Sequence, residues 1–431
     1  MNLSKFYWLR TLLKSVLFFL TQTKESKMSE INNVTHHKMV EYDSTCANQV
    51  QVRTLKNGDL FAVFNQERYP IHHDTGQTVT TRSKDGGITW SEPKVVVPWS
   101  QTMGSWDCGV CELHDGTLII NFNFCGFFKR GTKPEQPSWA TGPLTKKWGD
   151  WTWTYRTLGW LGTHVIKSKD GGETWCDPIP VNVRPLKHGG VRNGCWQLPD
   201  GGILMGLYGR IRGYEEYGEG ETTRSALMRS DDGGDNWEYY STLAYDPASF
   251  IDYEEPALLR LADGRLVCFL RTHINPTQDA KNMAMVISED DGFSWTPPKF
   301  TNIWGYPFDL ITLKDGRYLM VYGYRRQPYG TRGVISEDGI NWDIKNEFII
   351  REGGVPGKVI EENPSTKSNH AERSRFLNDG GEINYDHPGV FQHIAYPTVA
   401  QAQDGTIAAC YHEWTDDAKP IQFLQCSRFK L

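Results

Sequence analysis

The sequence predicts an all-β fold, a six-bladed β-propeller in which each blade is a copy of one four-stranded unit. Three observations predict it. A Ser-x-Asp turn motif recurs five times, and an Asp/Asn-Gly pair recurs six times, interleaved with the first. The composition is also rich in aromatic residues (13%) and in glycine (42 of 431 residues), as suits short strands joined by tight turns.

The first motif runs from Ser83 through Asp85 and Gly87 to Trp90, and returns as Ser168, Asp170, Gly172, Trp175. It returns again as Ser230, Asp232, Gly234, Trp237 and as Ser288, Asp290, Gly292, Trp295, with a copy one residue shorter at Ser336, Asp338, Trp342. Ser and Asp side chains bond back to a turn backbone, Gly admits a positive φ, and the Trp ring packs beneath. These aspartates read as turn staples with no catalytic content. The second motif is Asn57-Gly58, Asp115-Gly116, Asp200-Gly201, Asp263-Gly264, Asp315-Gly316 and Asp404-Gly405. Each lies between apolar or alternating runs, the strongest short hairpin signal. One unit is therefore strand, Asp-Gly turn, strand, loop, strand, Ser-x-Asp turn, strand.

The sixth unit reaches the C-terminus at its third strand, Ile421 to Phe429. Residues around Lys38 to Tyr42 supply the fourth from the N-terminal end, leaving no open edge. The propeller is thus expected over 31–431, with 1–30 as an extension or weak targeting segment. In that extension Lys5, Arg10 and Lys14 accompany a short apolar run, Ser15 to Leu20. No stretch reaches the roughly 20 apolar residues of a membrane span. Two long insertions, about 126–160 and 353–392, read as lids, disordered loops or oligomer contacts; the first holds five tryptophans suited to stacking on a sugar or to packing.

The net charge of −6 and the lack of a long basic run argue against nucleic acid as a partner. Nine cysteines form no paired C-x-x-C metal pattern, and Cys108, Cys111, Cys195, Cys268 and Cys410 sit in strand-like runs as small apolar residues. No cofactor or metal site is legible.

Aligning the units on their Asp-Gly turns defines a ring. Nine residues before each Gly stand Gln49, Asp107, Arg192, Glu255, Pro307 and Tyr396. Seven to ten residues after it stand Asn65 and Arg68, Asn123, Tyr208 and Arg210, Arg271, Arg325, and His412 and Glu413. Acids, arginines and a tyrosine thus converge at one mouth of the channel.

The turn motifs and this ring resemble the sialidase (neuraminidase) superfamily of Asp-box, or BNR-repeat, propellers over nearly all of 38–431. The resemblance implies Tyr396 as nucleophile, Glu255 as its activating partner and Asp74 as acid/base. It implies Arg68 beside that acid, Arg271 as the second arginine of a carboxylate-gripping triad, and Arg325 as the third, with Arg332 as competitor. Glu413 matches the glutamate that orients the first arginine. One departure stands out: where the family carries an Arg-Ile-Pro motif, this chain has Ala47, Asn48, Gln49 and Val50. An amide replaces a guanidinium, and a bidentate grip on a carboxylate is lost.

The expected substrate is a glycan or glycoconjugate. The expected activity is that of an exo-α-sialidase-like glycoside hydrolase, removing a terminal acidic or deoxy sugar with retention. Asp107, Arg192 and Gln49 complete the expected substrate-binding set. Three alternatives stay open: a polysaccharide lyase using Tyr or one of His72, His73, His393 and His412, an α-L-rhamnosidase-type enzyme, and a non-catalytic glycan-binding propeller. His72 and His73, beside Asp74, are also open as proton shuttles.

Overall fold

The computed structural model describes residues 31, 33–67, 76–100, 103–129, 152–153, 156–211, 222–274, 279–280, 282–324, 330–352, 395–414 and 422–431. They form six antiparallel sheets, one per predicted blade. From the channel outward, blade 1 is Cys46–Thr54, Leu60–Glu67, Gln77–Ser83 and Lys94–Val97. Blade 6 is Ala395–Gln401, Ile407–Trp414, Gln422–Phe429 and, last, the N-terminal strand Thr35–Val40. The ring of sheets is therefore closed by the N-terminal strand, as expected from the sequence.

The Ser-x-Asp turns are built alike. In blade 1 the Ser83 hydroxyl donates to Asp85 (2.8 Å) and accepts from the Gly87 N–H (2.7 Å), while the Ile88 and Thr89 N–H groups donate to the same carboxylate (3.1 and 2.9 Å). These donors hold Asp85 down at about 2, offsetting its partial burial. Each turn also docks on the preceding blade. Gly172 has φ +93, and a Cβ there would lie 2.9 Å from the Phe61 ring of blade 1. Gly234 has φ +90 and abuts Ile119 of blade 2 in the same way. The motif thus sets both a hairpin and the spacing between blades.

Apolar residues from facing sheets fill the spaces between neighbouring blades. Leu60, Phe64 and Val79 of blade 1 pack with Ala408, Cys410 and Leu424 of blade 6, and Met39 and Val40 of the closing strand join that cluster. The channel side is polar instead. The Gln51 side chain accepts from Val110 N–H (2.6 Å) and Gly194 N–H (3.0 Å) and donates to Asn193 (3.2 Å), which donates in turn to the Pro256 carbonyl (3.1 Å). Opposite, Arg53 grips Asp309 with both terminal nitrogens (2.6 and 3.0 Å), and Thr398 donates to the same carboxylate (2.6 Å). All six inner segments are cross-linked below the mouth, so the ring above them rests on a satisfied polar floor.

The insertion expected at about 126–160 begins and ends as strand. Leu118–Lys129 and Arg156–Ser168 continue the blade 2 hairpin outward, with Lys129 opposite Arg156. The 353–392 insertion lies outside the described residues. All nine cysteines are free thiols, and eight are buried or half-buried. Among the described residues no helix is long and apolar enough to cross a membrane.

Candidate active site

The ring positions carry an unusual backbone. Gln49, Asp107, Glu255 and Tyr396 all have positive φ, between 48° and 56°. Each sits at a β-bulge, where the register between the two innermost strands of blades 1, 2, 4 and 6 slips. The extra residue turns the side chain out of the sheet's alternation. A non-glycine residue in this region costs roughly 1–3 kcal/mol, and such residues cluster where geometry serves function. Blade 3 differs: its inner strand is reduced to Trp196–Gln197, with an isolated bridge between Gly190 and Tyr208. Glycine is required at 194, where a Cβ would lie 2.2 Å from the Val110 carbonyl oxygen.

Three pairings organise the ring. Arg271 Nη1 donates to Glu255 Oε1 at 2.8 Å. Its Nε donates to His273 Nε2 (3.3 Å), and His273 Nδ1 stands 3.3 Å from Glu254. Burial first, and then the Arg271 charge, hold His273 below its ordinary value, which favours a neutral ring between Glu254 and the guanidinium. Arg271 also lies over the Tyr306 ring, 4.4 Å from its centroid. Second, the Arg192 guanidinium lies 5.0 Å from the centroid of the Tyr396 ring, and its Nη2 donates to the carbonyls of Val50 (3.2 Å) and Tyr396 (3.4 Å). Arg192 is 1% exposed, yet its Nε and Nη1 have no hydrogen-bond partner among the described residues. Third, the Gln49 side-chain oxygen accepts the Asp107 N–H (3.3 Å), and its amide bonds the Asp107 carboxyl.

The electrostatics show that these groups share one space. Burial pushes Asp107 up to about 8, helped by the Glu255 charge and opposed by Arg192, Arg271 and the Gln49 hydrogen bond. The Tyr208 phenol is raised by burial first and then by Asp107, Glu255, Glu254 and Tyr396, which reach it from blades 2, 4 and 6. Tyr396 itself is half-buried and its ring lies tilted at 31° against His412, centroids 5.6 Å apart. The Gln49 N–H points at His412 Nδ1 (3.5 Å).

Two residues expected at the site have partners in blade 5. Glu413 faces blade 5, where it takes Arg351 Nη2 at 2.6 Å. Glu413 therefore orients Arg351, and among the described residues no bond from it to blade 1 is seen. Arg332, the competitor for the third arginine, is held by Glu347 at 2.9 Å and lies over Tyr324, 3.8 Å from the centroid. Arg68, Asp74 and Arg325, with His72, His73 and His393, lie outside the described residues. Sequence reasoning missed Glu254, His273, Tyr306 and Arg351. His273 was findable, because two residues beyond Arg271 on a strand is the same face. Arg351 was not, because it lies on an outer strand with no ring register. Among the described residues no group of three or more His, Cys, Asp or Glu is placed to hold a metal ion.

Six blades, bulged inner strands and a polar ring at one mouth define a propeller of the sialidase type. Residues 144–409 match the BNR repeat-like domain, and the chain belongs to that family. It is 21% identical over 325 residues to a sialidase of Bacteroides fragilis (strain YCH46), covering 70% of this chain and 54% of the relative, so it spans about half that protein's length. Among solved structures it is similar to a protein of unknown function from Dyadobacter fermentans DSM 18053 (22% identity, 93% of this chain and 100% of that one, TM-score 0.69). It is also similar to the intramolecular trans-sialidase of Ruminococcus gnavus (14%, 89% and 94%, TM-score 0.56). A third similar structure is the α-L-arabinanase of Penicillium chrysogenum (12%, 92% and 98%, TM-score 0.54). At such identities the likeness is one of fold.

Proposed function

We infer that the chain is a retaining exo-glycoside hydrolase of the sialidase-like class, releasing a terminal acidic or deoxy sugar. Tyr396 attacks the anomeric carbon as Glu255 takes the phenolic proton, while Asp74 protonates the departing oxygen. Water then attacks the glycosyl–tyrosine bond, Asp74 takes its proton, and the phenolate recovers its own from Glu255. The observation that carries this reading is Glu255. Arg271 anchors its Oε1, while its buried Oε2 has no hydrogen-bond partner among the described residues. A buried carboxylate oxygen left without a donor is costly, and a proton that arrives during the reaction accounts for it. A free phenol ionises near pH ~10 and needs a base to attack at neutral pH; the guanidinium of Arg192 stands over the Tyr396 ring, 5.0 Å from its centroid. The activities named for the relatives, sialidase, trans-sialidase and arabinanase, are all carbohydrate chemistry.

The test is a panel of aryl glycosides of sialic, uronic and deoxy sugars, with the anomer of the released sugar followed by NMR. Turnover with retention is expected, and Tyr396→Phe is expected to lower kcat by at least about a thousandfold with the fold intact. Near-normal turnover by Tyr396→Phe would sink the nucleophile assignment. A rise in ultraviolet absorbance on uronate polymers would replace hydrolysis by elimination.

A further inference from the structure

A guanidinium buried in a protein is costly unless its donors meet acceptors and its charge meets a counter-charge. Arg271, Arg332 and Arg351 each meet a glutamate. Arg192 does not. It is 1% exposed, and its Nη2 alone is bonded, to the carbonyls of Val50 (3.2 Å) and Tyr396 (3.4 Å). Its Nε and Nη1 are buried without a hydrogen-bond partner among the described residues. Arg210 follows on the same hairpin, past the bridge between Gly190 and Tyr208, and its Nε is buried and unpartnered in the same sense. The placement of Arg192 is as telling as its spare donors. It stems from blade 3, yet the two carbonyls that hold its Nη2 belong to blades 1 and 6. Val50 is the neighbour of Gln49, where the sialidase resemblance calls for an arginine. A guanidinium is therefore set against the very stretch of blade 1 that lacks one, carried there by a blade that does not border it.

We propose that Arg192 binds the carboxylate of an acidic terminal sugar, supplying from blade 3 the guanidinium that blade 1 lacks at Gln49. This rests on the reading of the ring as a sugar site and, of the acidic and deoxy alternatives, selects the acidic one. A ligand carboxylate gives the unbonded donors charge-assisted hydrogen bonds and gives the buried cation its counter-ion. The same guanidinium lies over the Tyr396 ring, so the acid group is held beside the residue assigned to attack. Asp107 also feels Arg192. Its carboxyl is pushed up to about 8 by burial and then by the Glu255 charge, so at neutral pH it leaves the Arg192 charge to the ligand. Once ionised, it competes for that charge. The groups acting on Asp107 are Glu255 and Arg271 from blade 4, Arg192 from blade 3 and Gln49 from blade 1, and Tyr208 of blade 3 feels Asp107 in return. The grip on an acid therefore loosens as the pH rises through the range where Asp107 ionises.

The experiment is calorimetry and saturation-transfer NMR on the full chain, with N-acetylneuraminic, D-galacturonic and D-glucuronic acids. Each acid is compared with its primary carboxamide, which keeps the hydroxyls and removes the charge. At about pH 6 at least one acid is expected to bind at least about tenfold more tightly than its amide, with a smaller ratio at about pH 9. Arg192→Met is expected to remove that preference and to leave the affinity for the amide within about twofold. Arg192→Lys, which keeps the charge but not the planar donors, is expected to retain part of it. Thermal denaturation shows which variants fold, and the comparison of acid with amide on the wild-type chain depends on none of them. Wild-type chain that binds no acid more tightly than its amide overturns the proposal, as does a folded Arg192→Met that keeps the full preference. Failure of this inference and of the hydrolase reading look different. An acid preferred through Arg192 without turnover of its aryl glycoside removes the hydrolase and leaves the anion site. Turnover of a neutral glycoside with no preference for any acid does the reverse.

Discussion

Burial pushes the Asp107 carboxyl up to about 8, ahead of the repulsion from Glu255 and against the attraction of Arg192 and Arg271. An unfolded Asp ionises near ~3.9, so between the two values the folded chain holds a proton that the unfolded chain has released. The contribution of this group to stability is therefore whole below about pH 4 and lost as the pH rises through about 8. Asparagine cannot ionise. Asp107→Asn is expected to gain on wild type across that window, by on the order of a few kcal/mol in total. Urea denaturation at several pH values measures this, and a difference flat with pH would mean that Asp107 ionises as an ordinary carboxylate. The same residue is held at φ 52°, as Gln49 is, so the pair is both strained and buried. Such a cost is tolerated where a side chain must face a ligand rather than a neighbouring sheet.

At the scale of the element, the two repeated turns do different jobs, and their glycines can tell them apart: Gly172 belongs to a Ser-x-Asp turn and Gly201 to an Asp-Gly turn. Gly172 and Gly201 have nearly the same φ, +93° and +94°, but different surroundings. A Cβ at Gly201 would meet nothing within 4 Å, whereas one at Gly172 would press on Phe61 of the neighbouring blade at 2.9 Å. Gly201→Ala should therefore cost about 1 kcal/mol, the backbone penalty alone. Gly172→Ala should cost about 1–3 kcal/mol more, because the overlap lies between blades. Equal losses in thermal or chemical denaturation would show that the Ser-x-Asp turn does not set blade spacing. The bulges of the inner strands act at this scale too: one extra residue per strand, repeated in four blades, aims four different side chains at one mouth.

For the whole molecule the decisive contact is the closing strand. Thr35–Val40 pairs with Gln422–Phe429, His36 hydrogen-bonds Ser427 at 2.8 Å, and Met39 and Val40 are buried between blades 6 and 1. Removing residues 1–40 exposes the edge of Gln422–Phe429 and opens that cluster. The truncated chain is expected to melt at a lower temperature and to self-associate through the bare edge. Sedimentation and thermal denaturation test this; a monomer with unchanged melting would mean that closure lies elsewhere. The polar floor under the ring acts at the same scale, since Arg53 and Asp309 join blades 1 and 5 across 256 residues of sequence.

The blades, their turns, the N-terminal closure and the ring itself were legible in the chain because each depends on neighbouring residues. A turn is written in four or five consecutive side chains. Counting nine residues back from each Asp-Gly glycine reached Gln49, Asp107, Glu255 and Tyr396, which the structure holds at bulges of the inner strands. Who pairs with whom was not legible. Glu413 takes Arg351 of blade 5, and Arg332 takes Glu347. Those partners are brought together by the packing of one blade against the next or by the pairing of strands within a blade, and neither period nor spacing records which charges then meet. The sequence by itself determined the fold, the place of the ring and the loss of an arginine at Gln49. Only the tertiary structure decided that Asp107 closes on Gln49 and that Arg271, Arg332 and Arg351 each meet a glutamate, because burial and charge pairing belong to the assembled molecule.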